Sequence, residues 1–463
     1  MLDLNRRDFM KTTGVALSTA SLTGVAGVAF AAQANPTAGK NELRVLAIGV
    51  GGIGGLDRAQ VNNHPKARIV GLVDVDANTL AKGKEKHPDA FTETDYRKAF
   101  ADRKDEFDAV IVATPDHHHA PMVLTALAHD KHCYGQKPLV QQLAELPMVE
   151  QAIAAKPYLA TQTGNQRMKE PGRRVAVEIL QKGLLGKALE AHVWTTSRRG
   201  RFTKADKPPV KEAPAHLDWN LWLGPCAMQP YTDGRAHNHW RAWWDHGSAG
   251  MGDWGVHLLD IIMYAYPELT SPIAVKTQTP RAADWYHTTH CQSTLTYDVS
   301  GSDKFVMDRF PIQYSDGRLA SSMRSLGVNA DKWPDGNMTV VVCEGGTLLL
   351  DAGGKHVQVW RKGEKTMGWN VDGVTRPRPF NHWHAWVDQA LGDKNAPVWT
   401  PFSEGVRITE AAILPVKASR FPNQELLWDR KSLTFTNNQK ATDTVVRRDY
   451  RDGFAPPVVG KKA

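Results

Sequence analysis

The chain has 463 residues, of which 41% are hydrophobic; this length and composition suit two or three domains with apolar cores and exclude a disordered protein. Its 57 Lys and Arg exceed its 49 Asp and Glu and give a net charge of +8, but the basic residues are scattered apart from the short SRRGR at Ser197–Arg201. A nucleic-acid-binding protein is therefore not the first interpretation. The four cysteines have no metal-type CxxC spacing, and we expect them to be buried small side chains.

The first 34 residues have the features of a targeting segment. The stretch NRRDFMK, Asn5 to Lys11, resembles the twin-arginine export motif. A mildly apolar run, Thr12 to Phe30, follows and leads to small-residue cleavage sites at Ala31 or Ala34. Because this run is short and rich in small residues, it is not expected to remain as a membrane anchor. The pattern predicts export of the protein, with a linker at residues 35–42.

Residues 43–166 alternate β-branched runs with amphipathic stretches. The predicted strands are LRVLAIG, RIVGLVD, FDAVIVAT and KHCYGQ, and the predicted helices are Asp95–Ala101, His119–His129 and Leu143–Ala155. This alternation is typical of an α/β domain with a Rossmann-like, doubly wound parallel sheet.

The pattern changes after residue 166. Predicted helices at Arg173–Lys182 and Val256–Tyr264 separate longer strands at Ala188–Thr196, Thr289–Tyr297, Lys304–Ile312, Met338–Glu344 and Thr347–Asp351. Residues 167–420 are therefore expected to form a second α/β domain on a mainly antiparallel open sheet, and residues 421–463 a weakly patterned tail. All fifteen Trp residues lie after residue 190, and flat indole faces suit the C–H faces of a sugar or cyclitol ring.

The first predicted strand runs into a glycine turn that predicts a dinucleotide site. Gly49, Gly51 and Gly54 form a GxGxxG motif, with Gly52 and Ile53 inside it, and Asp74 follows twenty residues later at the end of the second strand. Such glycines let backbone N–H groups approach a pyrophosphate at a helix N-terminus. The Asp74 carboxylate would accept ribose hydroxyls and repel a 2′-phosphate, so NAD is favoured over NADP.

The stretch VATPDHHHA ends the strand that begins at Phe107. We expect Thr114, Pro115 and His119 to lie at the carboxyl edge of the parallel sheet, where such sheets bind ligands. Three consecutive histidines are expected to point in different directions, so no metal site is predicted there.

Three polar side chains interrupt the otherwise apolar stretch MGDWGVHLLDIIMY, Met251 to Tyr264. In a helix, Asp253, His257 and Asp260 project from one face. Taken alone, the stretch favours a capping Asp253 and a satisfied buried histidine over a functional site.

Five motifs in order make the chain similar to the Gfo/Idh/MocA oxidoreductase family over nearly all of residues 43–420. They are the glycine turn, TPDHHHAP, the Lys137-Pro138 pair, TQTGNQ at Thr161–Gln166, and GDWGVHLLD. The stretches LDWNLWLGP and NHWRAWWDHG resemble exported bacterial branches of that family. The chain departs from the family at Gln136, where the family usually has Glu. The absence of that carboxylate removes a possible charge partner of Lys137.

The resemblance implies oxidation of a sugar hydroxyl, which needs a base for the hydroxyl proton and positive charge beside the developing alkoxide. His257 would be the base, Lys137 would supply the charge beside the nicotinamide, and Asp253 would fix the imidazole tautomer. Candidate substrate contacts are Asn165, Arg167, His237, His239, Arg241, Trp244 and Asp260, and for Asp260 a structural or supporting role is favoured. A metal on the Asp253 face lacks a third ligand and is not predicted.

Export limits the reaction, because free NAD is not expected outside the inner membrane. The enzyme would then either couple oxidation of one sugar to reduction of another, as glucose–fructose oxidoreductases of this family do, or oxidise a glycoside transiently, eliminate the aglycone and reduce the ring again. A non-catalytic nucleotide- and sugar-binding protein is the third interpretation. The resemblance also implies a homodimer or homotetramer, with a small carbohydrate as the other partner and no nucleic acid.

Overall fold

The computed structural model describes residues 34–196, 207–237, 239–280, 284–288, 290–316, 324–329 and 336–460. The expected targeting segment, apart from its last residue, and the SRRGR cluster lie outside these residues. No helix in the described ranges is both long and apolar enough to cross a bilayer.

The N-terminal part is a six-stranded, wholly parallel sheet in the order β3-β2-β1-β4-β5-β6. Its strands are β1 (Leu43–Ile48), β2 (Ala67–Val73), β3 (Phe91–Glu93), β4 (Ala109–Val112), β5 (His132–Gly135) and β6 (Thr161–Thr163). The central strands are buried because helices cover both faces, which explains their continuous apolar sequences. The predicted Rossmann-like sheet is confirmed, and its strand order reverses between β1 and β4, where such sheets bind ligands.

Five helices accompany this sheet: α1 (Gly52–Asn62), α2 (Ala77–Lys86), α3 (Tyr96–Arg103), α4 (His119–Ala128) and α5 (Leu146–Ala155). The Asp76 side chain begins α2 by accepting the N–H groups of Asn78 and Thr79, and Asp95 begins α3 in the same way. The sequence analysis did not predict α2, because six of its ten residues are polar and its apolar face is narrow.

The C-terminal part is built on a ten-stranded sheet in the order β14-β13-β12-β11-β7-β10-β9-β8-β15-β16. Its strands are β7 (Ala188–Thr195), β8 (Ala274–Gln278), β9 (Cys291–Asp298), β10 (Arg309–Asp316), β11 (Met338–Cys343), β12 (Gly346–Asp351), β13 (Val357–Arg361), β14 (Glu364–Met367), β15 (Glu425–Asp429) and β16 (Thr434–Phe435). Among the strands that the structure describes here, only β7 and β10 pair in parallel, so the mainly antiparallel sheet is confirmed. The strand expected at Lys304–Ile312 is shifted, since β10 begins at Arg309.

The helices of this part are α6 (Pro171–Gln181), α7 (Trp219–Leu223), α8 (Ala249–Ala265), α9 (His382–Ala390), α10 (Phe402–Ala418) and α11 (Gln439–Val445). Helix α8 packs against α6, α10 and β7, and nearly all its residues are buried. It begins two turns before the predicted Val256, in a glycine-containing stretch of low helix propensity. A Cβ at Gly255 would lie 3.0 Å from the Tyr314 ring, so close packing explains at least one of these glycines.

The tail is folded, although its pattern was weak. It adds β15 and β16 to the edge of the sheet and places Phe454 on the N-terminal part, where the Arg97 guanidinium lies 3.9 Å from the phenyl ring centre. All four cysteines are buried, as expected from the sequence.

Candidate active site

A cavity of about 300 Å³ lies at the carboxyl ends of β1, β2 and β4. Its floor includes Gly49, Gly51, Gly52 and Ile53 of the glycine turn with Thr114 and Pro115 after β4. Its opposite wall comes from a segment of the C-terminal part, residues 207–237, that we call the strap. The cavity therefore lies where the sequence predicted the dinucleotide.

The strap is attached to the N-terminal part by backbone hydrogen bonds. Leu217 forms an antiparallel bridge with Asp76, and the Asp218 N–H donates to the Val75 carbonyl oxygen at 2.9 Å. The strap places Leu217, Leu221, Trp222 and His237 along the cavity, and Phe454 of the tail completes this wall. The sequence analysis did not predict this closure, because it depends on contacts between distant segments.

The glycine turn fits a pyrophosphate. Gly49 has φ +81°, and a Cβ on Gly54 would lie 1.9 Å from the Gly49 carbonyl oxygen, so a side chain is excluded there. A Cβ on Gly52, the first residue of α1, would meet nothing within 4 Å. The N-terminus of α1 thus opens toward free space, and its N–H groups and dipole favour an anion there.

Asp74 lies beside this turn, as predicted. One carboxylate oxygen accepts the Val50 N–H at 2.9 Å and the other accepts the Asp76 N–H at 3.0 Å. Burial raises the pKa of Asp74, while these backbone donors lower it. Each oxygen retains a second lone pair, which a ribose hydroxyl can use.

His237 lies at this end of the cavity and not at the chemical end. Its Nε2 is 3.1 Å from the Asp76 carboxylate, and His216 Nδ1 is 3.2 Å from the same oxygen. The expected substrate contact of His237 is therefore replaced by a contact between the strap and the start of α2.

The predicted catalytic residues meet at the end of β5. The Lys137 ammonium donates to the Asp253 carboxylate at 2.7 Å and to the Asp253 carbonyl oxygen at 2.8 Å. Arg241 Nε lies 3.2 Å from the same carboxylate oxygen. Burial alone would raise the pKa of Asp253, but Lys137 and Arg241 outweigh it and hold the pKa below its ordinary value. Asp253 is therefore an anion fixed between two cations.

His257 lies one helical turn further along α8. Burial, Lys137 and Arg167 lower the pKa of His257 well below its ordinary value, so the imidazole is neutral and can accept a proton. Its Nδ1 has no hydrogen-bond partner among the described residues. The prediction that Asp253 fixes the imidazole tautomer is thus not met, because the carboxylate is bound by the stronger cationic partners.

Asp116 is a member of this cluster that the sequence analysis missed. It is buried, and burial raises its pKa to about 7 although Arg241 and Lys137 act in the opposite direction. The signal was present, since Asp116 directly follows Thr114-Pro115 at the carboxyl end of β4. The sequence analysis considered the three histidines that follow Asp116 and not Asp116 itself.

Two expected substrate contacts lie near His257. Asn165 donates from Nδ2 to the Val256 carbonyl oxygen at 2.9 Å, while its buried Oδ1 has no partner among the described residues. The Arg167 guanidinium lies 5.0 Å from the centre of the Trp254 ring, and Trp254 Nε1 is buried and likewise unpartnered in the described part of the chain. Together with His257 Nδ1, these atoms offer acceptors and donors that a hydroxylated ligand would satisfy.

Other expected contacts lie elsewhere. Asp260 is fully buried and forms an ion pair with Arg173, which also donates to the His257 carbonyl oxygen, so Asp260 supports α8 from behind. Trp244 stacks against Arg420, whose guanidinium is 3.9 Å from the indole centre, and does not line the cavity. His239 is exposed just beyond the strap, where its N–H donates to Gly234.

His119 binds protein and not the cavity. Its two ring nitrogens lie 2.6 and 2.8 Å from the carbonyl oxygens of Pro138 and Thr114, so it ties the loops after β4 and β5 together. It therefore positions Lys137 and Pro115 on the same edge of the sheet.

The histidines that precede it do not diverge as expected. His117 and His118 direct Nε2 to one carbonyl oxygen, that of Trp222, and His117 forms a buried group with Cys226 and His246 whose ligand atoms lie within 4.8 Å of one another. Arg235 Nε donates to His246 at 3.0 Å, and Arg448 Nη1 donates to the Cys226 sulfur at 2.9 Å. Two guanidinium groups at this position oppose a metal cation.

Comparison with known proteins agrees with this arrangement. Residues 43–161 match the family model for the NAD-binding Rossmann fold of the GFO_IDH_MocA oxidoreductases, and residues 173–308 match the C-terminal alpha/beta domain of the same family. The chain belongs to the Gfo/Idh/MocA oxidoreductase family.

Two curated proteins are similar to parts of this chain. An inositol 2-dehydrogenase of Rubrobacter xylanophilus is 27% identical over 33% of this chain and 43% of its own length. A glycosyl hydrolase family 109 protein of Shewanella sp. strain ANA-3 is 31% identical over 32% of this chain and 36% of its own. The chain thus matches less than half the length of either protein. The WlbA dehydrogenase of Chromobacterium violaceum, solved with NADH and UDP-GlcNAcA, is 13% identical with a TM-score of 0.59, over 85% of this chain and 98% of that one, and shares the fold.

Proposed function

We propose that the protein is an NAD-dependent oxidoreductase that acts on a hydroxyl of a sugar, glycoside or cyclitol and re-uses a cofactor retained in the site. The observation that carries this proposal is the Lys137–Asp253 pair, 2.7 Å apart at the end of β5 beside neutral His257. In this proposal His257 is the base and the Lys137 ammonium is the positive charge, beside the edge of the sheet that holds the glycine turn.

NAD, when bound, supplies the hydride acceptor. The residues of the chain do the rest. His257 takes the hydroxyl proton, and the Lys137 ammonium stabilises the negative charge that develops on the oxygen. Asp253 and Arg241 hold that ammonium in place, while Asn165 and Trp254 offer hydrogen-bonding groups to neighbouring hydroxyls.

We propose NAD and not NADP as the cofactor. Two carboxylates, Asp74 and Asp76, flank the end of β2 where the adenosine ribose would lie. A 2′-phosphate placed there would meet negative charge, which His216 and His237 offset only in part because both already contact Asp76.

The strap supports retention of the cofactor. A dinucleotide between the glycine turn and Leu217, Trp222 and Phe454 would lie against the strap, which hydrogen bonds to Val75 and Ala77 hold beside the cavity. Retention suits a protein that works where free NAD is scarce.

We also propose that residues 1–34 direct twin-arginine export to the periplasm. An R6K/R7K variant should stay inside the cell, whereas accumulation of that variant in the periplasm would contradict the route.

A second candidate is an NAD-dependent glycosidase that works by transient oxidation. Its support is the similarity to two family 109 glycosyl hydrolases, each 31% identical over 170 residues. Both candidates use the same proton acceptor and the same ammonium. They differ in whether the glycosidic bond is lost before the ring is reduced again.

One spectroscopic experiment separates the candidates. The purified protein is denatured to release and identify its nucleotide, and the native protein is mixed with a panel of sugars and glycosides while absorbance is followed at about 340 nm. A band that forms with one sugar and disappears with a second carbonyl compound supports the oxidoreductase. Aglycone release without a lasting band supports the glycosidase. Absence of both nucleotide and spectral change overturns both and favours the binding protein. Lys137→Met is the matched control, which should retain NAD and lose the spectral response.

We further propose a homo-oligomer that associates through the open face of the ten-stranded sheet. Part of this face is already covered by the protein itself, because Leu326 and Val328 pack on Trp194 and Trp360. Light scattering tests the proposal, and a monomer at micromolar concentration would contradict it.

A further inference from the structure

The residue before Lys137 is explained by a buried carboxylate on another element. Gln136 directs Nε2 to Asp57 of α1, and the nitrogen lies 2.7 Å from the Asp57 carboxylate. Gln136 is 3% exposed and Asp57 is 0% exposed. The amide is therefore the donor partner of an anion that water does not reach.

A glutamate at position 136 could not be ionised beside the Asp57 anion. It would set two carboxylates in direct contact in a buried site, and one of them would have to hold a proton. Gly164 packs directly against the Gln136 amide, since a Cβ at Gly164 would lie only 2.6 Å from the amide carbon. The neighbourhood thus holds one carboxylate, and in this chain it is on α1.

Asp57 is linked to Lys137 by charge and through Gln136. Burial raises the pKa of Asp57 to about 6, and hydrogen bonds from Gln136, Trp383 and Tyr134 together with the charge of Lys137 lower it. Gln136 in turn accepts the Lys137 N–H with Oε1 at 3.3 Å. A chain of contacts therefore runs from the Asp57 carboxylate through one amide to the backbone of Lys137.

We propose that Asp57 is a positioning residue for Lys137, and that it supplies from α1 the carboxylate that the family usually carries at position 136. This inference rests on the proposed function for its catalytic part. The Lys137 ammonium is held by Asp253, and the Lys137 backbone N–H is held by Gln136, which is itself bound to Asp57.

The other groups near Asp57 are neutral, so none of them supplies a negative charge in its place. Trp383 of α9 donates from Nε1 at 2.9 Å, and the Tyr134 hydroxyl of β5 lies 3.4 Å away and also contacts His382 Nε2 at 3.2 Å. Burial raises the pKa of Tyr134 and lowers that of His382 to about 3, so both are neutral. Among the described groups that affect the pKa of Asp57, Lys137 is the charged one.

A double-mutant cycle tests the transposition. Asp57→Asn leaves two amides, Gln136→Glu gives two carboxylates, and D57N/Q136E restores one carboxylate on the other side of the pair. We expect Asp57→Asn to lower kcat about tenfold with little change in KM, because it disturbs the placement of Lys137 and not substrate binding. The double variant should recover most of that loss. Asp388→Asn is the matched control: it disturbs the 3.0 Å contact of α9 with His64, next to α1, without reaching Lys137, and should leave kcat unchanged.

Unfolding by denaturant from pH 5 to pH 8 gives a readout that needs no substrate. Gln136→Glu should lose more stability than the wild type as the pH rises, because one of its two adjacent buried carboxyls holds a proton that the unfolded chain releases, and D57N/Q136E, with one carboxyl, should follow the wild type. A double variant no more active than Asp57→Asn, or Asp57→Asn with the kcat of the wild type, overturns the positioning role. If the wild type acts on no sugar, the proposed function fails, but the stability measurements still test whether the carboxylate can be exchanged between positions 57 and 136. Additive effects of the two single substitutions on the free energy of unfolding overturn this exchange, and recovery of stability in the double variant supports it.

Discussion

Replacement of Asp116 by Asn should make the protein more stable relative to the wild type as the pH rises. Burial raises the pKa of Asp116 from 3.8 to about 7. The folded protein therefore holds a proton that the unfolded chain releases between about pH 4 and pH 7, and the free energy of unfolding falls over this range. A pKa difference of this size corresponds to about 4 kcal/mol. Asn cannot ionise, so the variant does not suffer this loss.

The assay is denaturant unfolding of both proteins at several pH values from 4 to 8, followed by tryptophan fluorescence and circular dichroism. The difference between the Asp116→Asn variant and the wild type should be small near pH 4 and approach about 4 kcal/mol, in favour of the variant, near pH 8. Asp443→Asn on the exposed face of α11 is the control, and its difference should stay small at every pH. A difference for Asp116→Asn that does not change with pH would refute the argument, and a change of opposite sign would mean that Lys137 and Arg241 outweigh burial.

Three further substitutions test separate parts of the site. Gly54→Ala should abolish cofactor retention, because its Cβ would lie 1.9 Å from the Gly49 carbonyl oxygen; the nucleotide released on denaturation measures this, and normal content would contradict it. His257→Asn should lower kcat about 10²-fold or more while NAD is retained, and single-turnover absorbance checks it; an unchanged kcat would exclude His257 as the base. Asp260→Asn should cost about 3–5 kcal/mol of unfolding free energy, because it leaves Arg173 buried without its anion; a loss below about 1 kcal/mol by denaturant unfolding would show that the pair is not needed.

The fold of the N-terminal part could be predicted because its signals are local. Apolar runs such as Leu43–Ile48, a glycine turn and an acidic residue at fixed spacing indicate strand, turn and helix without knowledge of distant residues. The C-terminal strands were found with shifted ends, since exposed β10 positions such as Arg309 do not mark where pairing begins. The tail escaped prediction because its order depends on contacts of Arg451 and Phe454 with other segments.

Candidate residues were easier to predict than their partners. Lys137, Asp253 and His257 could be chosen because they stand at a strand end and on one helix face, and the structure brings them together. Asp57 could not be linked to position 136, since 79 residues separate them and nothing local marks the contact. The same limit applies to the strap, whose sequence resembles an ordinary loop until Leu217 is seen beside Asp76.

The contacts of Asp253 show why a residue's partners are harder to predict than the residue itself. Helical spacing brings Asp253 and His257 to one face, which allows a contact but does not decide it. In a buried site the carboxylate gains more from two fixed cations than from a neutral imidazole, so Lys137 and Arg241 take its oxygen at 2.7 and 3.2 Å. This pairing leaves the Nδ1 of His257 without a protein partner in the described part of the chain, so the proposed contact of this nitrogen with a substrate hydroxyl competes with no protein contact. The departure from the predicted contact therefore strengthens the case for His257 as the base.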